Sequence, residues 1–162
     1  MTVQEYNLSV ELYADGVFRF MMKLTKQDSD SDDLLQTAYE KLWRNYSNVD
    51  FEKVKSWLFT TSYRLFIDGK RKSRTDYTDS LQDTPQIGNE DNFDLKEVLN
   101  KALEMIPAIQ KSCILLRDYE GYSYDEIGEI LELNEAQVKV YIFRARVKMK
   151  QILTEKFNVT GV

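Results

Sequence analysis

Two short stretches of this chain concentrate the side chains that meet polyanions. Residues 69–74 (GKRKSR) hold four cations and no acid, and residues 139–150 (KVYIFRARVKMK) hold five cations and no acid. Lys and Arg at this density neutralise phosphates, while neighbours such as Val140 and Phe143 suit thymine methyl groups and base edges. The residue types of hydrolytic and redox chemistry are scarce by comparison. No His occurs in 162 residues, so His triads, imidazole bases and His-metal sites are excluded. No Gly-rich phosphate loop occurs. The single cysteine, Cys113, lies in an apolar run, fits no metal spacing and reads as a core residue. Carboxylates abound, but in solvated or helix-capping contexts. The chain is therefore expected to be no enzyme, with no catalytic residue, metal site or cofactor.

The elements that must present those cations read as helices. Apolar residues make up 43% and charged residues 30% of the chain, with 6 Gly and 2 Pro, a composition that favours a soluble all-α protein. Net charge is −5, which argues against an indiscriminate nucleic-acid binder. Two basic faces on an acidic body suit selective contact with DNA. No run of about 18 apolar residues and no basic-then-apolar leader pattern occurs, so a cytoplasmic location is expected.

Leu8, Leu12, Val17, Phe20, Met21 and Leu24 predict one face of a first helix within 6–26. The acidic stretch 27–33 suits the start of a second, along which Leu35, Ala38, Tyr39, Leu42, Trp43 and Tyr46 recur. Residues 47–53 read as a loop. A third helix carries Val54, Trp57, Leu58, Thr61 and Leu65 on a stripe and runs into the basic segment. Residues 75–93, with Pro85, Gly88 and five acids, read as a flexible acidic linker. Beyond it Asp94 caps an amphipathic helix, Pro107 fits the first turn of the next, and Gly121 ends that one. The chain divides into domains 1–74 and 94–162.

The strongest local pattern covers 121–153. Ser123 and Glu126 have capping-box spacing, a short helix bears Ile127, Ile130 and Leu131, and Asn134 with Gln137 caps a second, basic helix. This is the helix-turn-helix layout. At about 100° per residue, Val138, Ile142, Ala145, Met149 and Ile152 form a core seam. The opposite face holds Ala136, Lys139, Val140, Phe143, Arg144 and Val147. A DNA major groove accounts for that mixture of cations and apolar groups; docking on a protein partner is the alternative.

At this point the chain resembles the extracytoplasmic-function (ECF) group of bacterial sigma-70-type RNA polymerase sigma factors over residues 6–153. The stretch Asp30-Ser-Asp-Asp-Leu-Leu-Gln-Thr-Ala-Tyr-Glu-Lys-Leu-Trp43, Trp57-Leu-Phe, and Ile67-Asp68 with the basic run resemble sigma domain 2. Glu120-Gly-Tyr-Ser-Tyr-Asp-Glu-Ile-Gly-Glu-Ile-Leu131, Val138-Lys139 and Arg144-Ala-Arg146 resemble sigma domain 4. Three positions depart from the family pattern: Arg64 stands where Asn is usual, Gly128 where Ala is usual, and Glu132 where Gly is usual in the turn.

The resemblance implies a function: directing core polymerase to promoters and assisting DNA opening. Gln137, Lys139, Val140, Phe143, Arg144 and Arg146 would meet the minus-thirty-five element, Arg146 toward the flank and so on phosphate. The loop Ser47–Lys55, with Asn48, Phe51 and Lys55, would capture a minus-ten base, with Trp57, Tyr63, Arg64, Lys70 and Arg71 as neighbours. Core packing is the other reading of Trp57, and a solvated charge run the other reading of Lys70 and Arg71. Asp32, Asp33, Leu35, Gln36 and Tyr39 would dock on the clamp of the largest polymerase subunit; a plain acidic helix start is the alternative. Domain 4 would pack on the flap of the second-largest subunit. Promoter DNA and, as in much of the family, an anti-sigma factor complete the implied partners. A free-standing helix-turn-helix regulator and a helical adaptor without DNA contact are the competing functions.

Overall fold

The computed structural model describes residues 1–76 and 94–158, with side chains for 1–70 and 94–158. The rest of the expected linker, and residues 159–162, lie outside the described residues. All regular structure among the described residues is helical.

Helix α1 (Val3–Thr25) starts on a capping box between Thr2 and Glu5, and α2 (Asp28–Asn45) begins two residues after α1 ends. The acidic stretch is thus already helical, its carboxylates set against the positive end of the α2 dipole. Two 3-10 turns, Tyr46–Asn48 and Phe51–Lys53, replace the expected loop and lead into α3 (Val54–Asp76). The three helices enclose Val17, Phe20, Met21, Ala38, Leu42, Val54 and Leu58.

Two seams differ from expectation. On α1, Leu8 and Leu12 are exposed, at 41% and 54%. Val17, Phe20, Met21 and Leu24 are buried as expected, but toward the N-terminus the packed line continues through Tyr13, Ser9 and Tyr6. Polar atoms hold it. Tyr39 donates its hydroxyl to the Ser9 carbonyl (2.9 Å), Tyr6 donates to the Tyr39 carbonyl (3.2 Å), and the Ser9 hydroxyl donates to the Tyr6 carbonyl (2.6 Å). On α3, Trp57, Thr61 and Leu65 are only half-buried, whereas Phe59, Ser62 and Phe66 are buried. The reason is that α3 packs on α1 and α2 along one side and on a helix of the C-terminal half along another.

The C-terminal half comprises α4 (Leu95–Glu104), α5 (Ala108–Ile114), α6 (Tyr124–Leu131) and α7 (Glu135–Phe157). Asp94 caps α4, accepting from the Lys96 N–H at 3.1 Å. Pro107 occupies the N-cap of α5 rather than its first turn, with ψ 146°. A π-helical turn, Leu115–Tyr119, extends α5, and Gly121 ends it at φ +74°, where a Cβ would be strained. Cys113 is fully buried, and burial pushes its thiol up to about 12, so it is an unreactive core group.

The halves pack on each other through α3 and α6. Phe20, Phe59 and Tyr122 form a chain of rings with centroids 5.6 and 5.5 Å apart. Lys55 Nζ lies 4.8 Å over the Tyr122 ring, and Arg64 Nε pairs with Glu132 Oε1 at 3.2 Å. Both partners of that pair are more than half exposed, so it contributes at most about 1 kcal/mol. The Tyr122 hydroxyl is buried without a hydrogen bond of good geometry, which subtracts from the contact. The interface is apolar at its centre and weak at its rim, as suits surfaces that separate.

Candidate nucleic-acid interface

Backbone chemistry fixes the helix-turn-helix before any tertiary contact. The Glu126 N–H donates to Ser123 Oγ and the Ser123 N–H to Glu126 Oε1, each at 3.2 Å. The Asn134 and Gln137 pair repeats the device at 2.9 and 2.8 Å. Both capping boxes anticipated from spacing are therefore present.

The turn between α6 and α7 is tight. Glu132 sits in the left-handed region at φ 59°, a conformation that costs a non-Gly residue about 1 kcal/mol. A Cβ on Gly128 would lie 2.5 Å from the Leu133 carbonyl oxygen, so the helix crossing requires glycine there. The two departures from the family pattern are thus linked: the turn runs so close to α6 that Gly is needed at 128, while Glu132 supplies the left-handed turn.

On α7, Val138, Ile142, Ala145, Met149 and Ile152 are buried, as the angular reading requires. The opposite face stands in solvent, with Val140 44%, Phe143 69% and Val147 52% exposed. Arg144 is exposed and, among the described residues, makes no ion pair. Lys139 pairs with Glu135 at 3.2 Å and lies 5.7 Å from the Tyr124 ring centroid, so a small rotation frees it outward. Gln137 spends its side-chain oxygen on the cap and keeps its N–H groups. Arg146 differs from the others: it donates to Asp118 at 2.7 Å, which holds its guanidinium charge and turns it back toward the π-turn.

The second candidate surface lies between α2 and α3. A cleft there is lined by Lys41, Arg44, Asn45, Trp57, Thr61, Arg64, Leu65 and Asp68. Trp57 is half-buried, packing against the core and lining the cleft. Lys41, Arg44 and Asn45 were not singled out from sequence, and Thr61 and Asp68 were read as a core-stripe position and as part of the family match rather than as cleft residues. Arg44 and Lys41 lie on the far side of α2 from the apolar stripe, where a cation reads as plain surface. Asn48 is exposed and Phe51 half-buried in the 3-10 turns. Lys70 lies 4.8 Å over the Phe66 ring, and the Arg71 side chain is outside the described residues.

Tyr63 does not face that cleft. It is half-buried, burial raises its phenol, and its electrostatic neighbours are Cys113 and Ser112 of the other half. With Lys55 on Tyr122 and Arg64 on Glu132, three of the expected minus-ten residues are engaged at the interface between the halves.

Of the expected docking patch, Asp32, Asp33 and Gln36 are exposed, and Gln36 donates to Asp32 at 3.0 Å. Leu35 is half-buried. Tyr39 is corrected: at 8% exposure, with its hydroxyl bonded to Ser9, it is an internal clip between α1 and α2 rather than a surface contact. Burial pushes its phenol up to about 12. Among the described residues no helix is long and apolar enough to cross a membrane, and no group of His, Cys, Asp and Glu is placed to hold a metal ion.

Comparison with known proteins agrees with this geometry. A family model described as Sigma-70 region 2 matches residues 10–75, and one described as Sigma-70, region 4 matches 96–149. The chain is similar to the ECF RNA polymerase sigma factor SigM of Bacillus subtilis (strain 168), with 28% identity over 98% of this chain and 99% of that one. It is also similar to SigW of the same organism, with 24% identity over 90% of this chain and 87% of the relative. The fold resembles that of the sigma factor RpoE from Bartonella quintana, solved with the anti-sigma factor NepR. There the TM-score is 0.78 and identity 23%, covering 95% of this chain and 99% of that chain. The two matched regions, in this order and on these two helical units, place the chain in the sigma-70 family, among the ECF RNA polymerase sigma factors.

Proposed function

We propose that the chain directs core RNA polymerase to specific promoters and assists duplex opening, without catalysing a reaction itself. The observation that carries this reading is the outward face of α7, where Lys139, Val140, Phe143, Arg144 and Val147 stand in solvent opposite a fully buried seam. In a major groove the Arg144 fork would meet guanine or phosphate, and Val140 and Phe143 would meet thymine methyl groups. The cleft around Trp57, rimmed by Arg44, Lys41 and Arg64, suits an unstacked base: the indole offers a stacking edge, and the cations offer backbone contacts. Asp32, Asp33 and Gln36 form the polymerase-docking patch, and the chain acts in the cytoplasm with promoter DNA and core polymerase as partners.

The packed halves support a two-state account. Lys55, Tyr63 and Arg64 are occupied by the loop before α6, by α5 and by the turn after α6, so they become available to DNA when the halves separate. Polymerase, binding each half at its own site, would supply the separation energy. An anti-sigma protein that holds the halves together would oppose it.

Mobility shift with one promoter fragment tests the reading. Specific complexes are expected with core polymerase plus the chain, and only weak, salt-sensitive binding with the chain alone. Tight binding by the isolated chain, unchanged by core polymerase, is the outcome of a free-standing regulator and would refute the proposal.

A further inference from the structure

A further cationic surface lies where the end of α1 meets α4 and α5. Phe18, Arg19, Met22, Lys23 and Lys26 of the N-terminal half and Lys96, Asn100, Leu103, Glu104 and Lys111 of the C-terminal half line one cleft of about 380 Å3. Five cations and one carboxylate converge there, in a chain whose net charge is −5. Among the described residues, none of the five makes an ion pair. Lys23 lies 4.9 Å from the Tyr119 ring centroid, with Glu120 as its favourable charge neighbour.

Helix-end electrostatics accounts for part of this and not for the whole. Lys23 and Lys26 sit at the C-terminus of α1, where a cation is favoured. Lys96 sits in the first turn of α4, where the dipole disfavours one. Lys26 takes a left-handed conformation (φ 62°) at a cap where glycine is the low-strain residue. Lys111 is 6% exposed and lines this cleft. Burial, then Lys26, with Lys70 and Lys23 adding to it against Glu104, pulls its ammonium down to about 8. A buried lysine beside four other cations, with Glu104 as the one carboxylate lining the cleft, is unfavourable unless a further anion joins them.

We propose that this cleft binds an oligophosphate, held by Arg19, Lys23, Lys26, Lys96 and Lys111. Neutralising five cations in this volume takes several negative charges within a few ångströms. A phosphate chain carries that density, whereas a peptide spreads one carboxylate per residue along its backbone. Phe18, Met22 and Leu103 add an apolar wall, which can receive a base if the phosphates belong to a nucleotide. Because both halves supply cations, the bound ligand holds them together and keeps Lys55 and Arg64 covered. It is thus a small-molecule brake on the chain.

Isothermal titration of the full chain tests this, with inorganic tripolyphosphate and a nucleoside triphosphate as separate arms. One saturable site is expected, weakened at least tenfold by Lys111→Met and severalfold by Lys96→Ala, and unchanged by Lys53→Met on a distant turn. Lys96 is exposed, so Lys96→Ala keeps the test open if Lys111→Met fails to fold. Tighter binding of the nucleotide than of tripolyphosphate assigns the apolar wall to the base; equal binding assigns the site to the phosphates alone. Equal affinity across wild type and all variants, binding at several sites in proportion to net charge, or preference for a polyglutamate peptide of the same charge would overturn the proposal.

Discussion

Lys111, Gly128 and Phe143 show how differently single residues can matter in one small fold. Lys111 keeps a charge where burial opposes it, so its ammonium sits at about 8 against an ordinary 10.5. The unfolded chain therefore binds more protons than the folded one between about pH 8 and 10.5, and stability should rise with pH across that window. Cys113, raised from 9.0 to about 12, acts in the opposite sense above about pH 9, and Tyr39, also raised to about 12, does so above pH 10, so the rise is best measured from pH 7.5 to 9. Lys111→Met should reduce the rise, leaving the part due to Lys23, which burial also holds below the usual lysine range, and add about 1 kcal/mol or more at pH 7, roughly 2–4 °C in Tm, read by thermal denaturation against pH. Gly128→Ala should do the reverse. Its methyl would press on the Leu133 carbonyl, and the forced shift of the α6–α7 turn should cost about 1–3 kcal/mol despite alanine's better helix propensity. Phe143→Ala removes a ring that is 69% exposed, so stability should change by less than about 0.5 kcal/mol. Promoter affinity of the holoenzyme should fall about tenfold in the same variant, within the range of one lost base contact.

At the scale of elements, the C-terminal half was readable because its signals are local. Two capping boxes, a glycine stop and a 3.6-residue seam fall within 33 consecutive positions of the sequence, and each is satisfied by atoms a few residues away. The N-terminal half was read less well for a physical reason. Its α1 seam is extended by Tyr6, which donates to the Tyr39 carbonyl of α2, and by Ser9, whose carbonyl accepts from the Tyr39 hydroxyl, and no hydrophobicity pattern marks a buried serine. Val17, Phe20, Met21 and Leu24 were read correctly, whereas Leu8 and Leu12 lie off the packed face. On α3, apolar residues serve two neighbours at once, so Phe59 and Phe66 escape a single-stripe reading. The cleft residues Arg44 and Lys41 look like ordinary surface cations until α3 brings Trp57 beside them. Arg44→Glu should therefore leave thermal stability within about 0.5 kcal/mol of wild type while slowing promoter opening, followed by permanganate reactivity of unpaired thymines.

The whole molecule holds its two halves in an arrangement that sequence alone left open. The contact between them is centred on Phe59 and Tyr122 and edged by one exposed ion pair, so its strength lies in a few apolar groups. On the proposed function, such an interface would close the free chain and yield to a larger partner that grips each half separately. Fluorophores at Glu11 and Gln151, both exposed, should report high transfer efficiency in the free chain and a drop on adding core polymerase; native Cys113 is buried and will not compete for a thiol label. The account as a whole claims that this chain is the part that makes initiation promoter-dependent, through the outer face of α7. Run-off transcription with core polymerase on a matched promoter measures that directly. Product is expected only when the chain is added, and Arg144→Glu, exposed and free of ion pairs among the described residues, should reduce it at least tenfold. Equal product without the chain, or full product with Arg144→Glu, would contradict the account.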